Sequence, residues 1–157
     1  MNQVKQRGVT MMEVLVTILV GAVGLAGVMG MEALAIKTNH QAYLRTQAIL
    51  QAQDLADRMH ANLKGVDDGD YATAIPTSQP SPNCLSANCT PEQLAAFDKW
   101  EWQQANERLL PAGAGTITYS SIEEAHTITV AWKEEGNAGT ADKNFSFVYK
   151  PLPIYLL

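Results

Sequence analysis

The sequence has few of the residue types from which catalytic and metal sites are usually built. It contains 2 cysteines and 3 histidines among 157 residues. No Cys or Ser lies at a known catalytic spacing from any of the three histidines, His40, His60 and His126. It has no glycine-rich phosphate loop after a predicted strand and no His-Glu-x-x-His pattern. These absences argue against an enzyme, and they predict neither a cofactor nor a metal.

Basic residues are also scarce. The chain carries 11 Lys and Arg against 16 Asp and Glu, a formal net charge of −5. Lys5 and Arg7 are the only charged side chains of residues 1–8, so the remainder carries −7. Affinity for nucleic acids depends on neutralising phosphates with Lys and Arg, so this acidic body argues against DNA or RNA as a partner. Basic residues before an apolar run and acidic ones after it fit export of the body.

The longest apolar run extends from Val14 to Met31, and its only polar side chain is Thr17. At about 1.5 Å of rise per residue, a helix of this length crosses most of the hydrocarbon layer of a bilayer. Glu13 stands directly before the run. A carboxylate within a membrane costs roughly 2.5–3.5 kcal/mol or more unless it has a partner, so we expect Glu13 to have a function.

Three interpretations of this N-terminal stretch compete. A secretory signal peptide would be cut after the apolar run, and residues 27–30 offer only a loose cleavage site. A plain signal anchor explains the run but explains neither Gly8 nor Glu13. The third interpretation places the cut directly after Gly8, so that the apolar segment stays with the mature protein.

On that third interpretation the stretch resembles a type IV prepilin: a short basic leader, Gly8, a hydrophobic residue, and Glu13 as the fifth residue after the cut. The resemblance implies cleavage between Gly8 and Val9 by a prepilin peptidase and N-methylation of Val9, where the family more often has Phe. It also implies that Glu13 pairs with the amino terminus of a neighbouring subunit during assembly. A buried carboxylate becomes tolerable when it meets a fixed positive charge.

A long helix is predicted from Thr10 to about Leu63, because no proline or cluster of turn residues interrupts this span. Its first half is apolar nearly all round. Its second half is amphipathic, and the apolar positions recur at steps of three or four: Leu44, Ala48, Ala52, Leu55, Met59 and Leu63. The opposite face is expected to be solvated, with Asp54 and Arg58 as an i,i+4 pair.

The second half also resembles the amphipathic helix of PilV-type minor pilins, which ends in an Asp-x-x-Asp-Arg-Met-x-Ala-Asn pattern. Here that pattern is Asp54 to Asn62. Considered singly, Asp54, Asp57, Arg58 and His60 are expected to be ordinary solvated residues of an amphipathic helix.

The middle of the chain is predicted to hold loops and one short helix. Residues 64–81 are rich in turn formers, and the acids of residues 67–70 lack the full calcium-loop pattern. Cys84 and Cys89 predict a small disulfide loop in an oxidising compartment, since zinc would need further ligands. Thr90 to Gln93 forms a capping box, which predicts a helix of four or five turns ending near residue 111.

The last third predicts three antiparallel strands. The alternating stretches are Thr116 to Ile122, His126 to Trp132 and Phe145 to Tyr149. A Gly- and Asn-rich loop is expected over 135–143, and Glu123, Glu124, Glu134 and Glu135 are expected to be exposed acids of turns. The apolar tail of residues 154–157 is too short to be an anchor.

These observations predict an α+β protein in which one long N-terminal helix packs on a small antiparallel sheet. The predicted segments are a leader (1–8), a transmembrane and filament-core half-helix (9–33) and a periplasmic domain (34–157). The resemblance implies a non-enzymatic minor pilin of the inner membrane and pilus that primes assembly, with other minor and major pilins as partners. The alternatives are a minor pseudopilin of a type II secretion system and a signal-anchored periplasmic binding domain.

Overall fold

The computed structural model describes residues 8–136 and 139–151. Most of the predicted leader and the apolar tail of residues 154–157 lie outside the described residues. The chain divides into two compact units, Met1–Gln41 and Ala42–Leu157. Helix α1 (Met11–Ala61) contributes residues to both units, as the uninterrupted pattern of its sequence predicted.

The first unit consists of the N-terminal part of α1. Its large apolar side chains from Val9 to Ile36 are all exposed, between 44% and 86%. No residue from Gly8 to Ile36 is buried. Hydrophobic burial therefore contributes nothing to holding this part of the helix in place.

The second unit contains the amphipathic part of α1, which buries Leu44, Ala48, Ala52, Leu55, Ala56 and Met59. The predicted apolar face is confirmed, except that Leu63 lies beyond the end of the helix. Asn62 has non-helical backbone angles and caps the short helix α2 (Leu63–Asp67) by accepting from the Gly65 amide. The prediction that residues 64–81 form only loop was therefore wrong for α2 and for the 3₁₀ turn Asp70–Ala72.

Helix α3 (Pro91–Leu109) begins as its sequence predicted. The Thr90 hydroxyl accepts from the Gln93 amide at 3.3 Å, and the Gln93 side chain accepts from the Thr90 amide at 3.0 Å. Pro91 occupies the first helical position, where its missing N–H costs no hydrogen bond. The opposite faces of α3 differ in environment: Trp102 is fully buried, whereas Trp100 is half-buried.

The sheet contains β1 (Ala114–Ser120), β2 (Ala125–Gly136) and β3 (Gly139–Tyr149) in the order β1-β2-β3, all antiparallel. One face is apolar, with the row Ile117, Ile128 and Phe147 at its centre. The prediction of a loop over 135–143 was wrong, because β2 and β3 stay paired up to Gly136 and Gly139. Glycine and polar residues weaken the alternating pattern here without preventing the hairpin.

Two further expectations for the strands need correction. Ile122 was placed in the first strand, but it lies in the turn after β1 and is 94% exposed. Glu134 was expected to be an exposed turn acid, but it is buried and accepts a hydrogen bond at 3.0 Å from the indole N–H of Trp132 on the same strand. The hydrogen bond offsets part of the cost of burying the carboxylate.

The core of the second unit joins α1, α3 and the sheet. Trp102 donates its indole N–H to the backbone carbonyl of Gln51 at 2.8 Å, which ties α3 to α1. Lys99 is also buried, and its ammonium group donates to the carbonyls of Asp70 (2.7 Å) and Thr73 (3.2 Å). Burial lowers the pKa of Lys99 below its ordinary value. Neutral backbone oxygens thus satisfy a buried cation and hold the turn that follows α2.

Candidate functional site

The N-terminal motif lies at the start of α1. Gly8, Val9 and Thr10 precede the helix, and Val9 is 70% exposed. The backbone amide of Glu13 donates to the carbonyl of Thr10 at 3.0 Å and lies 3.3 Å from the Thr10 hydroxyl. Thr10 therefore caps α1, and Glu13 occupies the first turn, where a negative charge favours the helix dipole.

The Glu13 side chain is exposed and has no hydrogen bond or ion pair with any residue from 8–136 or 139–151. The next 18 residues carry no charge. The arrangement thus offers a carboxylate at the end of a long apolar surface. It can accept a cation or hydrogen-bond donors from another molecule.

Within the described chain, α1 is long and apolar enough to cross a membrane, with a mean hydropathy of 2.3 in its most apolar window. This criterion rests on length and composition, and a signal sequence would meet it too. None of that window is buried in the structure. Its apolar surface is therefore available to lipid or to other helices.

A polar cluster joins α1 to α3 in the second unit. The guanidinium of Arg58 lies 2.9 Å from Asp54, 2.6 Å from Glu101 and 3.4 Å from Asp98. The expectation that Arg58 is merely a solvated helix residue was wrong, although its predicted pair with Asp54 is confirmed. Burial alone would lower the pKa of Arg58, but the bond to Glu101 and the charge of Asp54 raise it above its ordinary value.

The cluster continues into the core through Tyr71 and Asn62. The Tyr71 hydroxyl donates to Asp98 at 2.6 Å, and the Asn62 amide donates to the Tyr71 oxygen at 3.3 Å and to the Pro91 carbonyl at 2.8 Å. Burial is the main cause that raises the pKa of Asp98 and of Tyr71 above their ordinary values. Tyr71 therefore stays protonated as a donor. We call this cluster of Arg58, Asn62, Tyr71, Asp98 and Glu101 the clasp, because it joins α1 to α3.

The clasp gives the Asp-x-x-Asp-Arg-Met-x-Ala-Asn pattern a physical meaning. Arg58 binds Glu101 of α3, and Asn62 binds the carbonyl of Pro91, the first residue of that helix. Met59, which lies between Arg58 and Asn62 in the sequence, is fully buried. Asp57 and His60 remain exposed, as expected. Sequence analysis missed the partners because 43 residues separate Arg58 from Glu101. It also missed the Thr10 cap, which the Thr-x-x-Glu spacing of Thr10 and Glu13 could have indicated.

Cys84 and Cys89 form the predicted disulfide, with their Cα atoms 5.6 Å apart. The Sγ of Cys84 lies 3.8 Å from the Gln93 carbonyl, in the first turn of α3. The bridge therefore closes the loop directly before the helix cap.

The remaining candidates for chemistry are not brought together. Residues 8–136 and 139–151 contain no group of three His, Cys, Asp or Glu side chains arranged to hold a metal. His126 is buried in the sheet beside Tyr119, with ring centres 4.9 Å apart, and burial lowers its pKa. An open groove is lined by residues 72–75 and 115–117, whose Ala, Thr, Ile and Gly side chains offer no acid or base.

Two family models match this chain. The family described as Type IV pilin Tt1218 matches residues 30–100, and the one described as Prokaryotic N-terminal methylation motif matches residues 4–29. Both matches support a type IV pilin. No curated protein and no solved structure matches.

The matches agree with the fold and with the N-terminal motif. The long helix and the small three-stranded antiparallel sheet are consistent with the type IV pilin fold, so the predicted α+β class is confirmed. The pilin family is one of structural subunits. The PilV-type assignment stays a prediction.

Proposed function

We propose that the protein is a minor pilin that helps to prime type IV pilus assembly and enters the filament. A prepilin peptidase cuts between Gly8 and Val9, and Val9 is then N-methylated. Residues 9–33 anchor the subunit in the inner membrane, and residues 34–157 fold in the periplasm. The minor and major pilins assembled beside it are its partners.

One observation carries the proposal: Glu13, exposed and unpaired within the described chain, stands directly before an apolar helical surface that nothing in the described structure covers. Filament assembly covers such a surface with other helices. It also brings a second subunit's amino terminus to Glu13, which offsets the cost of burying the carboxylate.

A minor role is favoured by two departures from the pattern of many major pilins. The long helix contains no proline of the kind that bends the helix of many major pilins. The two cysteines of the chain, at 84 and 89, pair with each other and not near the C-terminus. The clasp of Arg58 and Asn62 supports a PilV-type subunit, because it involves the residues of that pattern.

The deciding experiment is the intact mass and N-terminal sequence of the protein purified from membranes. A chain that starts at N-methylated Val9 is expected. A chain that starts at Met1, or one cut after the apolar run, would contradict the proposal and favour a signal anchor or a secretory signal.

The alternative within the same superfamily is a minor pseudopilin of a type II secretion system, which shares the leader and the helix. Presence of the protein in sheared pili, together with loss of twitching motility on its deletion, supports the pilus. Loss of protein secretion with normal piliation would support the pseudopilus instead.

A further inference from the structure

The residues around the proposed cleavage point lie outside the helix that follows them. Gly8, Val9 and Thr10 have neither helical nor strand structure, and all three are exposed. Helix α1 starts at Met11, three residues after Gly8. A Cβ built on Gly8 would meet nothing within 4 Å, so the fold leaves room beside this residue. The peptide bond between Gly8 and Val9 is therefore accessible to another molecule.

The carbonyl group of this peptide bond is not part of the helix. The first backbone bonds of α1 go to the carbonyl of Thr10, which accepts from the amides of Glu13 at 3.0 Å and Val14 at 3.2 Å. No backbone amide of residues 9–136 or 139–151 donates to the carbonyl of Gly8. Peptidases cut exposed chain whose backbone is free of such bonds, because water has to add to the carbonyl carbon before the C–N bond breaks.

Thr10 determines where the helix begins. Its hydroxyl accepts from the Glu13 amide at 3.3 Å, which satisfies one of the amides at the helix start that have no acceptor within the helix. Gly8 is the competing N-cap, because glycine is about as good as threonine at that position, whereas alanine and valine are poor. A helix capped by Gly8 would use the Gly8 carbonyl for its first bond, from the amide of Met12.

The two caps have opposite consequences for cleavage. With Thr10 as the cap, the bond between Gly8 and Val9 precedes the helix, as it does in the structure. With Gly8 as the cap, the helix begins at Val9, and the carbonyl of the bond to be cut is engaged in the first turn. That turn then has to open before a peptidase reaches the bond.

We propose that Thr10 is a positioning residue for the cleavage: by capping α1, it holds the bond between Gly8 and Val9 outside the helix, in the form that a prepilin peptidase binds. The hydroxyl acts through the amide of Glu13 and takes no part in the hydrolysis. The inference rests on the proposed pilin function, since it takes the cleavage after Gly8 from there.

The proposal predicts which kinetic constant depends on Thr10. In a chain without the cap, the helix that begins at Val9 is populated, and only the remaining fraction of the chain is competent to bind the peptidase. The apparent affinity falls in proportion to that fraction. A chain that has bound is already open, so the rate at which it is cut stays the same.

The test uses the full-length chain, purified in detergent from cells that lack the peptidase, together with a purified prepilin peptidase. Thr10→Ala removes the hydroxyl and introduces a good helix former, whereas Thr10→Ser keeps a capping oxygen. Thr17→Ala is the matched control, because the Thr17 hydroxyl donates to the Val14 carbonyl at 2.8 Å inside the helix and does not cap it. Mass spectrometry of cut and uncut chain over a range of substrate concentrations separates kcat from KM.

Thr10→Ala is expected to raise KM about fivefold and to leave kcat unchanged. This factor corresponds to an N-cap worth about 1 kcal/mol. Thr10→Ser and Thr17→Ala are expected to be cut with the kinetic constants of the parent.

Hydrogen exchange of the uncut chain gives a second measurement that does not involve the peptidase. In the parent, the amide of Met12 donates to no backbone carbonyl of the described residues and is expected to exchange freely. In Thr10→Ala, this amide should become protected, because it donates to the Gly8 carbonyl once the helix begins at Val9. In Thr17→Ala, its exchange should remain that of the parent.

The outcomes separate the two proposals. A parent chain that is cut after Gly8, while Thr10→Ala keeps the KM of the parent, overturns the inference about Thr10 alone. A lower kcat at unchanged KM also overturns it, since the hydroxyl would then contact the peptidase directly. Equal effects from Thr17→Ala, or a Met12 amide that stays unprotected in Thr10→Ala, overturn it as well. A parent chain that is never cut after Gly8 overturns both this inference and the pilin function.

Discussion

Trp102 of α3 lies directly against Gly115 of β1. A Cβ built on Gly115 would be 2.2 Å from the indole Cζ3, closer than any real contact. Trp102 also reaches α1 through its bond to Gln51. One tryptophan therefore contacts all three layers of the second unit, and it does so because residue 115 has no side chain.

Gly115→Ala is accordingly expected to destabilise the protein by about 1–3 kcal/mol, since the indole is held on every side and has to shift. Denaturant unfolding of the full-length protein in detergent measures the effect, with Trp fluorescence as the signal. Thr116→Ala, at an exposed neighbouring position, is the control and should leave the midpoint nearly unchanged. Equal midpoints for the two variants would show that Trp102 is loosely packed.

Arg58→Met is expected to cost about 2–3 kcal/mol of stability, because it leaves the nearly buried carboxylate of Asp98 without its cation. Lys64→Met is the matched control: Lys64 pairs with Asp68 four residues on, but both side chains are exposed. That variant should unfold almost like the parent. Similar losses from both would mean that the clasp acts only as a surface ion pair.

Acid is expected to destabilise the second unit through His126. Because burial lowers its pKa in the folded state, the unfolded chain binds the proton more readily, and stability falls as the pH drops through about 6.5. Unfolding midpoints at pH 8, 7, 6 and 5 measure this slope. His126→Gln should flatten the slope, and His60→Gln, at an exposed position, should not. Asp98, whose raised pKa acts in the opposite direction, is present in both variants and cancels from the comparison.

Cys84→Ser combined with Cys89→Ser is expected to lower stability by about 2 kcal/mol, the modest value for so short a closed loop. Hydrogen exchange should locate the loss at residues 83–94, which include the first turn of α3. Faster exchange of the sheet amides as well would indicate that the bridge supports the whole unit.

If the proposed function is correct, Glu13→Val leaves the proposed cleavage after Gly8 intact and reduces the amount of protein in sheared pili, because the proposed pairing of the carboxylate with a neighbour's amino terminus is lost. Glu32→Val is the control, since Glu32 is the next acid of α1 and is likewise exposed. Normal piliation with Glu13→Val would contradict the assembly role. Immunoblots of membranes and of sheared pili measure both steps.

Local patterns in the sequence predicted the elements that local physics determines. The capping box of Thr90 and Gln93 placed the start of α3, and the alternation of Ile128, Val130 and Trp132 placed the buried face of β2. The bonds of the capping box join residues three apart, and the alternation along β2 is a pattern of neighbouring residues, so both can be read locally. The N-terminal methylation motif was recognised for the same reason, because Gly8, Val9 and Glu13 lie within six residues of one another.

The remaining features could not be read from the residue types of their neighbours. Arg58 looks solvated in the sequence, and only the folded chain brings the carboxylate of Glu101, 43 residues away, to its guanidinium. Glu134 also looks solvated, because the sequence does not show that the indole of Trp132, two residues before it, donates to its carboxylate on a buried face. The long β2–β3 hairpin was missed because its Gly- and Asn-rich residues have low strand propensity, which pairing with β2 overrides.

The buried ammonium of Lys99 provides a natural reporter of local opening. Acylating reagents react with an accessible, deprotonated amine, and in the folded chain this amine is enclosed by the carbonyls of Asp70 and Thr73. Lys64, on the surface nearby, is modified without any opening. The ratio of labelling at the two lysines therefore measures how often the turn at residues 70–73 opens. A single mass spectrum gives this ratio, and no introduced probe is needed.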